Sequence, residues 1–188
     1  MVFRGMVTSA SQVFAVDNVA VSSIIYLAIL TYSPITAVFS FVGAMLGSLT
    51  GLMLNVPVEE AYSGLWGYNA LLTSIALGGF FVIIEIQTTV AAIFASIFAT
   101  VLQYVMTPIF AQIGLPVLSV PFVLTTWLFL GLRGSDGSGF IEPDEISFPE
   151  KHRWDFIDAQ QVTTISSHRQ SDASNELDTF TAERRSLK

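Results

Sequence analysis

The 188-residue chain is 52% hydrophobic and only 12% charged, with a formal net charge of −7 and no cysteine. A soluble domain carries about 25% charged residues, so half the usual charge is missing; disulfides, thiolate metal sites and a catalytic thiol are excluded. Between Arg4 and Arg133 the only charged residues are Asp17, Glu59, Glu60 and Glu85, and residues 86–132 contain no Asp, Glu, Lys, Arg or His. A charge at the bilayer centre costs about 3 kcal/mol, whereas a hydrated globule gains nothing from avoiding charge. The chain is therefore expected to be an all-α integral membrane protein with about five membrane helices.

In chain order, Met1 to Phe14 has one Arg and a polar stretch where a signal peptide has its apolar run, so insertion is expected to use internal spans. Residues 19–32 are apolar but short, and Ser33-Pro34 closes them. Residues 35–54 have about the 20 positions that a helix needs to cross a bilayer. Pro57, Glu59 and Glu60 mark an interface or loop. Residues 71–86 and 89–110 are apolar again, the second interrupted late by Pro108. Residues 115–132 open with Pro116 and contain Pro121. Two stretches, 63–69 with Gly64 and Gly67 and 114–122 with its two prolines, are too broken for plain spans. Backbone that leaves the helix at membrane depth persists only inside protein or beside a wet cavity, and such segments point to a transport pathway. Re-entrant or discontinuous helices are expected there. Residues 1–134 read as the membrane part, and 135–188 read as a polar, acidic tail without a core of its own, expected to be disordered and cytoplasmic.

Gly43, Gly47 and Gly51 recur every four residues, which lines one helical face and lets a neighbouring backbone approach closely. Gly78 and Gly79 are expected to serve the same purpose in the next span. Adjacent Glu59 and Glu60 point in different directions and read as a solvated pair rather than an acid–base couple. Glu85 interrupts an apolar run close to Thr88 and Thr89, and interfacial placement is favoured over a functional intramembrane carboxylate. Both histidines, His152 and His168, lie in the tail, which leaves the membrane portion without an imidazole base or ligand. No catalytic constellation appears, so no enzyme activity, metal or cofactor is expected. The hydrogen-bonding groups left inside, Gln12, Asn18, Asn69 and Ser119, are uncharged. An ion pore needs a carbonyl filter or a charged ring; neutral groups suit a neutral solute.

Three stretches resemble the urea transporter family: Arg4-Gly5 followed by Ser11-Gln12-Val13-Phe14 and Asp17-Asn18; Tyr62-Ser63-Gly64-Leu65-Trp66-Gly67-Tyr68-Asn69; and Leu115-Pro116-Val117-Leu118-Ser119-Val120-Pro121-Phe122. The last is similar to the family's repeated LPxxTxPF signature, and the order of all three fits one family repeat, more like the second than the first. The resemblance implies one half of an inverted-repeat fold and a narrow pathway for urea or a close neutral amide. By position it implies Gln12 at the pore mouth, Tyr68 and Leu72 in the wall of the constriction, and Ser119 in place of the family's threonine. Ala15 stands where repeats often have a larger residue, implying a wider slot, and Asn18 lacks the proline that commonly follows it. The resemblance further implies facilitative passage at a plasma membrane, a trimeric homo-oligomer, a cytoplasmic C-terminal tail and no nucleic-acid partner. One repeat supplies half a pore wall. That leaves a part of a longer protein, a truncated product, or a single-repeat chain pairing with another copy or subunit. The competing reading is a non-conducting membrane subunit that associates with a full-length transporter.

Overall fold

The computed structural model describes residues 2–132 and 146–186, which form helices and the turns between them. Helix α1 (Val2–Gln12) ends in a turn where Ala15 adopts the left-handed conformation, φ +57°. Helix α2 (Val19–Tyr32) is capped by Asn18, whose Oδ1 accepts from the N–H groups of Ala20 and Val21 at 2.8 and 3.2 Å. Ser33 separates α2 from α3 (Pro34–Met53): its extended backbone ends one helix, and its Oγ accepts from the Thr36 N–H at the start of the next. Pro34 at the first helical position forfeits an N–H that no helix could use there.

The next stretch is the broken one. Short α4 (Val58–Ser63) stops at Gly64, φ +86°, and α5 (Tyr68–Ile75) starts after the turn. A π-type turn over Ala76–Phe80 follows, with Gly79 at φ +116°. Residues 71–86 are therefore not one span. Gly79, expected to be a packing glycine of a continuous helix, instead ends it, because only glycine takes φ +116° without strain, whereas Gly78 does pack closely, a Cβ there running into the Phe39 ring. Helix α6 (Ile86–Gln112) opens with the Glu85 N–H donating to Thr88 Oγ1 at 2.8 Å. It continues through Pro108, where an interruption was expected. After a turn at Gly114, φ +70°, comes α7 (Val120–Leu132).

Helices α3 and α6, 20 and 27 residues long, are long and apolar enough to cross a membrane, whereas apolar α2 and α7 are shorter. The bundle is packed with small residues and covered with large ones. Ala44, Ala70, Ala92, Ala95 and Ala99 are wholly buried, while Met53 is 88% and Trp127 71% exposed. Burial on α6 follows one face, Ala92, Ala95, Ser96, Ala99, Thr100 and Gln103, and large Phe94, Phe98 and Val105 lie outside it. On α3 the buried face includes Gly43, Gly47 and Gly51, against which α5 packs: a Cβ on Gly43 would stand 2.5 Å from Ser74 Cβ, and one on Gly47 2.7 Å from Ala70 Cβ.

The chain divides into two compact units, Met1–His152 and Arg153–Lys188. The expected boundary at 134 lies outside the described residues. Residues 146–152 belong to the first unit, so the bundle extends past that boundary. There the Glu150 carboxylate accepts from Ser33 Oγ at 2.7 and 2.9 Å and from the Ile35 N–H at 3.0 Å, at the start of α3. Phe148 meets Tyr32 edge-on, and His152 Nδ1 lies 3.1 Å from the Gly79 carbonyl. Helix α8 (Pro149–Ser186) begins here; the second unit consists of its continuation, a polar helix in the stretch where the composition suggests disorder.

A side chain at Gly47 would meet the Trp66 carbonyl and Gly67 Cα in the turn before α5, backbone that cannot give way cheaply. Gly47→Val is expected to destabilise the bundle by about 1–3 kcal/mol, read as a melting temperature lowered by several degrees. Gly131→Ala, with nothing within 4 Å of the new Cβ, should hold or raise it. Burial alone would raise the Glu150 pKa, but the hydrogen bonds from Ile35 and Ser33 outweigh it and hold the carboxyl below its ordinary range. A lowered pKa means that the contact is complete above roughly pH 4.3 and is lost as pH falls through the folded value. The protection factor of the Ile35 amide should fall in that acid range, and Glu150→Gln should abolish its pH dependence.

Candidate permeation pathway

The two broken segments meet inside the bundle through uncharged groups. Tyr68 Oη, at the first residue of α5, donates to the Leu118 carbonyl at 2.5 Å. That carbonyl is turned by an unusual backbone: Leu118 has φ +48°, a left-handed conformation that a branched residue adopts only when its surroundings impose it. Asn69 Nδ2 donates to the same carbonyl at 3.2 Å and to Gln103 Oε1 at 2.9 Å. Gln103 Nε2 in turn donates to the Leu65 carbonyl at 2.9 Å, inside the first break. Asn69 is fully buried and Gln103 is 4% exposed. Both acceptors of Asn69 fix which end of its amide carries the nitrogen, leaving Oδ1 buried without a protein partner.

The other expected pathway residues are placed as follows. Gln12 Nε2 donates to the Ser63 carbonyl at 3.0 Å, tying the end of α1 to the entrance of the first break. Leu72 packs on the cluster of Ala10, Ala44 and Leu71. Half-buried Ser119 adjoins Leu118 and starts the turn into α7, its carbonyl accepting from the Val123 N–H. Ala15 and Asn18 are exposed on the turn between α1 and α2, and Asn18 is occupied as a helix cap. Among the described residues no hydrogen bond joins either to Tyr68, Leu72 or Ser119. The structure thus brings Tyr68 to the neighbour of Ser119 and Gln12 to the first break, and leaves Ala15 and Asn18 on the rim.

Two features supplement these residues. Arg4 forms an ion pair with Asp17 at 2.9 Å and lies 4.3 Å over the Tyr62 ring, clamping the start of α1 to the α1–α2 turn and α4. Gln103 was not singled out from the sequence. The signal it offers is a lone amide deep in a 27-residue apolar helix, where nothing local needs it. A cavity of about 310 Å³ lies elsewhere, lined by Leu77, Val82, Thr88 and Phe129 among others, and touches none of the expected pathway residues.

Among the described residues, a helical bundle with two apolar helices of bilayer length and small residues inside is that of a helical membrane protein. Its family follows from comparison: the profile described as Urea transporter matches residues 1–134. The chain is 32% identical over 161 residues to Urea transporter 1 of Ovis aries, covering 85% of this chain and 42% of that protein. It is 32% identical over 151 residues to Urea transporter 1 of Rattus norvegicus, covering 80% of this chain and 39% of that protein. The chain belongs to the urea transporter family. It spans about two fifths of the length of the curated relatives it matches.

Proposed function

We propose that this chain forms one wall of a narrow passage through which urea, or a similar small neutral amide, moves down its gradient. The observation that carries this reading is the meeting of the two breaks through Tyr68, Asn69 and the Leu118 carbonyl, without any charged group. A neutral amide exchanges hydrogen bonds with such groups at little cost, whereas an ion would lose its hydration without compensation. Relatives named for urea support the solute. In this reading Gln12 stands at the mouth, Tyr68 and Leu72 form the wall, and Ser119 offers a hydroxyl; Ala15 and Asn18 border the entrance. The repeat is one half of an inverted-repeat fold of about five membrane segments in the plasma membrane, with the tail in the cytoplasm. The opposite wall comes from a second repeat, supplied by more of the same polypeptide, another copy or another subunit, within a trimeric assembly. No chemistry is performed and no cofactor is used.

Purified protein reconstituted into liposomes is expected to speed urea entry above that of empty vesicles, with no dependence on an imposed membrane potential. Gln12→Ala and Ser119→Val should each reduce the flux about fivefold, the factor that one lost hydrogen bond of ~1 kcal/mol supplies. Background flux from folded, inserted protein would reject passage through this chain alone. Recovery of flux only after co-expression with a full-length transporter would favour the non-conducting subunit.

A further inference from the structure

We propose that Gln103 is the positioning residue that couples the two broken segments, so that the backbone lining both sides of the pathway holds or loses its shape as one unit. The inference rests on the pathway reading above only for its functional meaning; the coupling itself is a property of the fold.

The evidence begins with what the polar side chains of α6 do. Ser96, Thr100 and Thr107 each donate to the carbonyl four residues earlier, Ala92, Ser96 and Gln103, at 2.7, 3.2 and 2.7 Å. Those hydroxyls satisfy themselves within their own helix. The Gln103 amide instead spends both ends on other elements: Nε2 on the Leu65 carbonyl and Oε1 on Asn69. Leu65 belongs to the non-helical turn after Gly64, where no helical N–H serves its carbonyl. Asn69 passes the connection to Leu118, whose carbonyl Tyr68 also holds. The series Leu65–Gln103–Asn69–Leu118 therefore runs from one break to the other through a single buried amide on a continuous helix.

An amide is the side chain this junction requires. The Leu65 carbonyl needs a donor and the Asn69 nitrogen needs an acceptor, and a carboxamide offers both without charge. The buried hydroxyls of α6, Ser96 and Thr100, bond their own helix, and a charged group would be costly to bury. Removing the amide would leave the part-buried Leu65 carbonyl without this donor and the fully buried Asn69 with one acceptor fewer, an asymmetric loss larger than the mean worth of a hydrogen bond. Leu118, already strained, would then rest on Tyr68 and a less constrained Asn69.

The absence of cysteine permits a direct test in the full chain. Ser63→Cys and Ser119→Cys, near-isosteric and half-buried, report on the two breaks through their rates of reaction with a small neutral thiol reagent in detergent-purified protein. Gln103→Met keeps length and apolar volume but cannot serve either partner; it should accelerate labelling at both sites together, by about tenfold. Thr100→Val, at similar depth, should change neither. Gln103→Glu supplies a distinguishing signature. Its buried carboxyl, kept protonated by desolvation, can donate to Leu65 and accept from Asn69. Normalised to the Gln103 protein at each pH, labelling should be near parent rates at low pH and rise at both sites as the carboxyl ionises. Acceleration at one site only, no acceleration at either, or a flat pH profile for Gln103→Glu would overturn the coupling. If Gln103→Met does not fold, the Gln103→Glu profile decides alone. Urea flux is read separately: its absence in the parent would reject the passage without touching the labelling result.

Discussion

In an apolar interior without charge, each carbonyl that leaves a helix needs a neutral donor. This bundle answers that requirement with two amides and a phenol. Leu65 and Leu118 lie where the helices break, and their carbonyls take hydrogen bonds from Gln103, Asn69 and Tyr68. The breaks could not persist at depth otherwise, since an unserved buried carbonyl costs about as much as several ordinary stabilising contacts. The remaining architecture places these donors. Glycines on α3 bring α5 close, which sets Tyr68 and Asn69 at the start of a helix held in the bundle's centre. Small residues on the inner face of α6 let that helix come near enough for one long side chain to reach across.

The same packing explains why the composition is distributed as it is. A soluble helical protein puts Leu and Phe inside and covers them with charge. Here alanine, glycine, serine and threonine fill the interior, and Trp127, Leu132, Ile86 and Phe94 stand outside. Lipid offers large side chains the same apolar surroundings as a core would, so nothing drives them inward. Close helix contact comes from small residues and from hydrogen bonds between them, such as the buried Ser22–Ser11 pair joining α2 to α1 at 2.7 Å.

Much of this could be read from the residues, and the rest could not, for reasons of range. Missing charge and glycine spacing are local patterns, so α3 and the two breaks emerge from the sequence near their structural limits. The residues themselves singled out Gln12, Asn69 and Ser119 as neutral groups and the resemblance added Tyr68; Tyr68 and Asn69 lie at the junction of the breaks and Ser119 next to it. Gln103 escaped notice because its partners are 38 and 34 residues away; one amide in an apolar helix has no periodicity to reveal its purpose. Gly79 looked like more packing glycine, because nothing nearby signals that the chain must turn left-handed there. The return of residues 146–152 was equally hidden. Their composition is that of the polar tail, and the distant Tyr32, Ser33, Ile35 and Gly79 give them something to hold.

That return bears on how the broken region is supported. Gly79 ends the helix that starts with Tyr68 and Asn69, and a Cβ there would meet Ile84 and Pro149 at 2.7 Å. Pro149 is buried in this contact, Glu150 grips the start of α3, and His152 reaches the Gly79 carbonyl. The segment thus touches both the far end of the broken helix and the helix against which it packs. The Gln103 network holds the start of α5 by uncharged bonds in the interior, Pro149 and His152 meet its far end at Gly79, and Glu150 holds the start of α3 with a carboxylate at a helix terminus. The division follows from solvation: a carboxylate is stable where N–H groups and water can share it, and an amide is the strongest neutral substitute where they cannot. Short, interrupted helices need their ends held, and the chain uses in each place the chemistry that its surroundings permit.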